Sequence, residues 1–135
     1  MAKKQYSQGL VFGVFDGFHP GHQYFIAEAL KRSDNLVVVV TLDEVVEKLK
    51  KHLPVNSLTE RVAKIKQFNT DLMVVPGDVV SGQWQVLRAN FYDIIWLGYD
   101  QQGIAKELDK LKVDYEFLGS YQPEVYKSSL LHNKD

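Results

Sequence analysis

An α/β fold built on a parallel sheet is predicted by two features of this 135-residue chain. Apolar runs of strand length alternate with stretches of helical periodicity, in the order β-α-β-α-β-α-β-α-β. The second run, Asn35 to Thr41, is nearly continuous and β-branched, as suits a strand covered on both faces. Units that alternate in this way set successive strands parallel and place helices on both faces of the sheet.

The elements follow in order. Gly9-Leu10-Val11-Phe12 reads as a buried first strand, and Gln23 to Leu30 carries apolar residues at helical spacing. After the second strand comes Val45 to Pro54, rich in lysine. Ser57-Leu-Thr-Glu60 has the pattern of a capping box in front of a helix over Arg61 to Phe68. Asp71 to Pro76 and Asp93 to Gly98 are two further strands, separated by a helix over Gln83 to Asn90. A helix from Gly103 to Leu111 leads into Val113 to Leu118, whose alternation suits an edge strand. No repeat, linker or low-complexity tract interrupts the chain, so residues 1–135 are expected to form one domain.

Composition narrows the function classes. Hydrophobic residues make up 45% and charged residues 24%, the proportions of an ordinary globular protein. A net charge of −1 gives no broad electrostatic attraction to nucleic acid or to an anionic membrane. Without cysteine there can be no disulfide, thiolate metal site or thiol nucleophile. The first residues lack the apolar core of a signal peptide and no run reaches transmembrane length, so a cytoplasmic protein is expected.

The densest chemistry lies between Gly13 and His22, where one strand-to-helix turn carries two histidines, an aspartate and three glycines. Backbone N–H groups and the helix dipole favour negative charge at such a corner. Imidazoles there can hydrogen-bond phosphate oxygens and stabilise charge that develops in a transition state. The plainer alternative is an ordinary turn, Asp-Gly followed by Pro-Gly, with an incidental histidine pair. A zinc site would need a further ligand that the neighbourhood does not supply.

Phe15-Asp16-Gly-Phe-His19-Pro-Gly21-His22 fits F-D-x-x-H-x-G-H. It resembles the signature of the cytidylyltransferase-like nucleotidyltransferases, and of flavin adenylyltransferases in particular. Leu97-Gly98-Tyr99-Asp100-Gln101 resembles the nucleotide-base pocket of the same family. The lysines near Lys50, with Arg61 after them, resemble its basic connection, although His52 stands where some relatives have arginine. Ser128-Ser129 resembles its hydroxyl-bearing turn, but no arginine precedes it between Tyr121 and Lys127.

The resemblance implies a Rossmann-like domain with five parallel strands in the order 3-2-1-4-5. It also implies transfer of a nucleoside monophosphate from ATP or CTP to a phosphorylated acceptor, with release of pyrophosphate. His19, His22 and Lys50 would act on the phosphates, and Gly13, Val14, Phe15, Asp16 and Gly21 would line the nucleotide. Arg61, Gly98, Tyr99, Asp100 and Gln101 would contact it, and Ser128 and Ser129 would hold its terminal phosphates. Magnesium is expected on those phosphates, with Asp16 orienting the turn or helping to place the ion, and no protein metal cage is expected. Homodimers occur among the relatives.

Several of these residues keep structural alternatives. Lys48, Lys50 and Lys51 also suit a solvated surface, Arg61 a helix surface, Asp100 a helix N-cap and the serines a simple cap. FMN with ATP, giving FAD, is the leading expectation for the substrates. CTP with glycerol 3-phosphate is the alternative, pantetheine phosphate a third, and a nucleotide-binding protein that no longer catalyses is the alternative of another class.

Overall fold

The computed structural model describes residues 6–79, 83–89 and 91–119. Five strands, β1 (Tyr6–Gly13), β2 (Ser33–Val40), β3 (Met73–Pro76), β4 (Ile94–Leu97) and β5 (Tyr115–Phe117), form one parallel sheet in the order β3-β2-β1-β4-β5. The connecting helices are α1 (Pro20–Arg32), α2 (Asp43–Lys50), α3 (Leu58–Phe68), α4 (Gln85–Ala89) and α5 (Gln102–Leu111).

Strand alternation divides the core into two layers. Val11, Leu36, Val38, Val40 and Trp96 face one way and pack with Ile26 and Ala29 of α1 and Ile65 of α3. Leu10, Val37, Val39, Ile95 and Leu97 face the other way, against Val86 and Leu87 of α4 and Ala105 and Leu108 of α5. The uninterrupted valine run of β2 is thus explained by burial on both faces. Trp96 is fully buried and its indole N–H donates to Ser33 Oγ at 2.9 Å, which makes it a packing residue.

Several boundaries move from where periodicity put them. β1 begins at Tyr6 although Ser7 and Gln8 are polar, because the Asp93 carboxylate accepts both of their backbone N–H groups. The lysine-rich connection after β2 contains the helix α2, whose Val45 and Val46 are buried. β3, β5 and α4 are shorter than the apolar runs that announced them. α3 starts at the anticipated capping box, with both the Ser57 and the Glu60 side-chain bonds present.

Candidate active site

The turn between β1 and α1 lies at the carboxyl end of the central strand, next to the point where the strand order reverses between β1 and β4. Phe15, Gly17 and Phe18 all have positive φ, of 54°, 79° and 39°. For a phenylalanine this region is sterically costly, so packing must hold the turn. It does so by burying both rings: Phe15 is 3% and Phe18 6% exposed. Gly13 allows the fold-back, because a Cβ there would meet the Phe15 ring at 2.6 Å. The space left by the missing side chain of Gly13 is thus taken by the Phe15 ring of the turn itself.

This rigid turn delivers the histidines. His19 is the N-cap of α1, its Nδ1 accepting from Gly21 N at 3.1 Å, with Pro20 in the first turn. An acceptor at Nδ1 leaves a neutral imidazole's proton on Nε2, where it can be donated to a phosphate oxygen. His22 stacks on His19, with ring centroids 3.6 Å apart and 19° between planes. Phe15 packs edge-on against the His22 ring. Burial, then the neighbouring His19 and Lys50, pushes His22 down to about 3 against the pull of Asp16. His22 is therefore neutral at physiological pH in the unliganded protein. Its Nδ1 is buried with no hydrogen-bond partner among the described residues.

Lys50 ends α2, half-buried, and its charge is felt by His22. Lys51 closes the helix in the left-handed conformation, its N–H bonding Glu47 O. Asp16 pins the chain that follows. One carboxylate oxygen accepts from Val55 N at 2.7 Å, and the other from Asn56 N and Nδ2 at 2.9 and 3.0 Å. Burial pulls the Asp16 carboxyl up, but those N–H donors and the Arg61 charge outweigh it and hold it below its ordinary value. Orienting the turn is the role this geometry favours. Among the described residues no group of three or more His, Asp or Glu side chains comes together as a metal cage.

Arg61 requires a correction. It was expected at the nucleotide or on a helix surface, yet it is fully buried. Nε donates to Asn56 O at 3.0 Å, Nη1 to Val14 O at 2.9 Å and Nη2 to Asp43 Oδ1 at 2.5 Å. Fully buried and bonded at all three nitrogens, the guanidinium has no face left for a nucleotide. Asn56 and Asp43, which sequence reasoning passed over, are the partners that fix it. A polar residue just before a capping box was the one available hint at Asn56.

At the end of β4, Gln101 joins two strand ends. Its Oε1 accepts from Gly98 N and its Nε2 donates to Phe12 O, both at 2.9 Å. Gln101 is also the N-cap residue of α5, so the N-cap alternative for Asp100 does not hold. Asp100 and Tyr99 are exposed at the same carboxyl edge as the histidines, and the Asp100 carboxylate lies back toward Gly98. The structure thus gathers Gly13 to His22, Lys50 and Gly98 to Gln101 along one edge, with Asp16, Arg61 and Gln101 as its internal ties. Ser128 and Ser129 lie outside the described residues.

Comparison with known proteins places this edge in context. The cytidylyltransferase-like family matches residues 10–133. The FAD synthase of Thermococcus sibiricus is 33% identical over 99% of this chain and 95% of its own. That of Aciduliprofundum boonei is 38% identical over 73% of this chain and 64% of its own, so the chain spans just under two thirds of that relative's length. In three dimensions the lipopolysaccharide core biosynthesis protein of Thermoplasma volcanium superposes with a TM-score of 0.73 at 26% identity, covering 86% of this chain and 98% of its own. The strand order, the turn with its two histidines and these matches agree: the chain belongs to the cytidylyltransferase-like family.

Proposed function

We propose that this chain transfers the adenylyl group of ATP to the phosphate of FMN, giving FAD and pyrophosphate. The observation that carries the reading is the stacked His19–His22 pair at the start of α1, on the carboxyl edge of the sheet. Similarity to FAD synthases over nearly the whole chain supports FMN and ATP over glycerol 3-phosphate and CTP.

An oxygen of the FMN phosphate attacks the α-phosphorus, and the bond from that phosphorus to the α,β-bridging oxygen breaks. The acceptor is itself the nucleophile, so no protein nucleophile is needed, and catalysis rests on positioning and charge neutralisation. The N–H groups at the start of α1 receive phosphate oxygens, helped by the helix dipole. His22 is neutral before the nucleotide arrives, and a polyanion beside it raises its affinity for a proton. The barrier falls to the extent that this affinity rises further as charge builds on the bridging oxygen, beyond what the bound triphosphate already causes. Lys50 offsets charge on the departing pyrophosphate, and Ser128 and Ser129 hold the terminal phosphates. Gly98, Tyr99 and Asp100 receive the base and ribose. A divalent cation, magnesium first, would be held mainly by the triphosphate, with Asp16 orienting the turn beside it, and would supply neutralisation of the phosphate oxygens.

Pyrophosphate release with magnesium, from ATP with FMN and from CTP with glycerol 3-phosphate, tests the reading. Release and FAD formation are expected with the first pair, and His22→Ala should slow turnover by about 100- to 1000-fold. Release with the second pair alone would transfer the assignment to the cytidylyl reaction. Nucleotide binding with no release from either pair would favour a protein that binds without catalysing.

A further inference from the structure

We propose that the segment from Leu49 to Val55 is the platform for the acceptor's isoalloxazine ring, with Leu53 and Val55 as its apolar contacts. This rests on FMN being the acceptor.

Leu49 lies three and four residues beyond Val46 and Val45, on the stripe that α2 buries, yet it is 63% exposed. Leu53 and Val55 are 57% and 91% exposed. Isolated apolar side chains on a surface need no explanation. Three within seven residues, on a segment anchored at both ends, do. At one end it continues from α2, whose Val45 and Val46 are buried and whose last turn is closed by the Lys51 N–H on Glu47 O. At the other, Val55 N and Asn56 N are bound to Asp16, three residues before His19. The Asn56–Arg61–Asp43 bonds hold that anchor from behind. The segment is thus fixed beside the phosphate-handling turn with its apolar groups outward.

Its chemistry is mixed in a way that suits one kind of acceptor. Lys50 and Lys51, with Lys48 just before them, supply positive charge among the apolar residues. A phosphate ester carrying a large flat ring would use both, whereas glycerol 3-phosphate offers nothing to the apolar part. The β4 end, where the ATP base is placed, lies on the opposite side of β1 from β2 and the α2 segment that follows it. The acceptor and the nucleotide would then reach the histidines from opposite sides.

Leu53→Ser, Val55→Ser and the double variant test this, since such exposed positions carry little of the fold. Steady-state pyrophosphate release gives KM for FMN and for ATP, and light scattering gives the oligomeric state. The double variant should raise KM for FMN about 10- to 100-fold, as expected for two lost apolar contacts, with KM for ATP and the melting temperature unchanged. An active double variant with unchanged KM for FMN would overturn the platform alone. So would a wild-type dimer that the double variant splits, because the patch would then belong to a second copy of the chain. Wild-type protein that is silent with FMN would remove the adenylyl-transfer reading itself, and the platform with it.

Discussion

Replacing Arg61 with methionine removes a guanidinium that is fully buried, while roughly refilling its volume. Three hydrogen bonds are lost, to Asn56 O, Val14 O and Asp43 Oδ1. Bonds to a charged group contribute about 1.5–3 kcal/mol each, so their simple sum overstates the effect. The Asp43 side chain is 35% exposed and can rehydrate when its partner leaves, which reduces the cost. Breaking a buried pair typically costs about 3–5 kcal/mol, and that range is expected here. For a domain of this size the melting temperature should then fall by about 10–20 °C. Thermal melts followed by circular dichroism, with urea unfolding at an unchanged slope, provide the assay. A melting temperature within about 3 °C of wild type, together with a raised KM for ATP, would refute the reasoning. It would mean that the guanidinium reaches solvent and serves the nucleotide after all.

Further expectations follow from the same edge. His22 is held near 3 in the folded protein, whereas the unfolded chain takes up that proton near its ordinary value of about 6.5. Between those values the unfolded state binds more protons, so stability falls as pH drops from about 6.5 toward 3. His22→Gln should remove that contribution, and comparing urea midpoints at pH 7 and pH 4.5 will check it; parallel losses in both proteins would count against it. Gln101→Ala should cost about 1–3 kcal/mol, because it leaves Gly98 N and Phe12 O unpaired at two strand ends, and denaturant unfolding measures this directly. Ser57→Ala should cost about 1 kcal/mol through loss of the capping box, with no change in KM for either substrate.

Local pattern made much of this protein legible in its sequence. A β-branched run buried on both faces, apolar residues at helical spacing and Ser57 three residues ahead of Glu60 each record a preference that acts within a few residues. The turn from Gly13 to His22 belongs with them, since the strand, the glycines, Pro20 and the two histidines are contiguous. Its resemblance to a known signature carried the strand order and the reaction class. Tertiary structure decided what the charged residues do. Arg61 reads as a helix-surface cation until Val14, 47 residues away in sequence, is found to accept its hydrogen bond. Asp16 binds Asn56 across 40 residues, and Gln101 binds Phe12 across 89. The energy of a charged or amide group depends on which partners replace its water, and partners that far apart along the chain meet only once the sheet has formed.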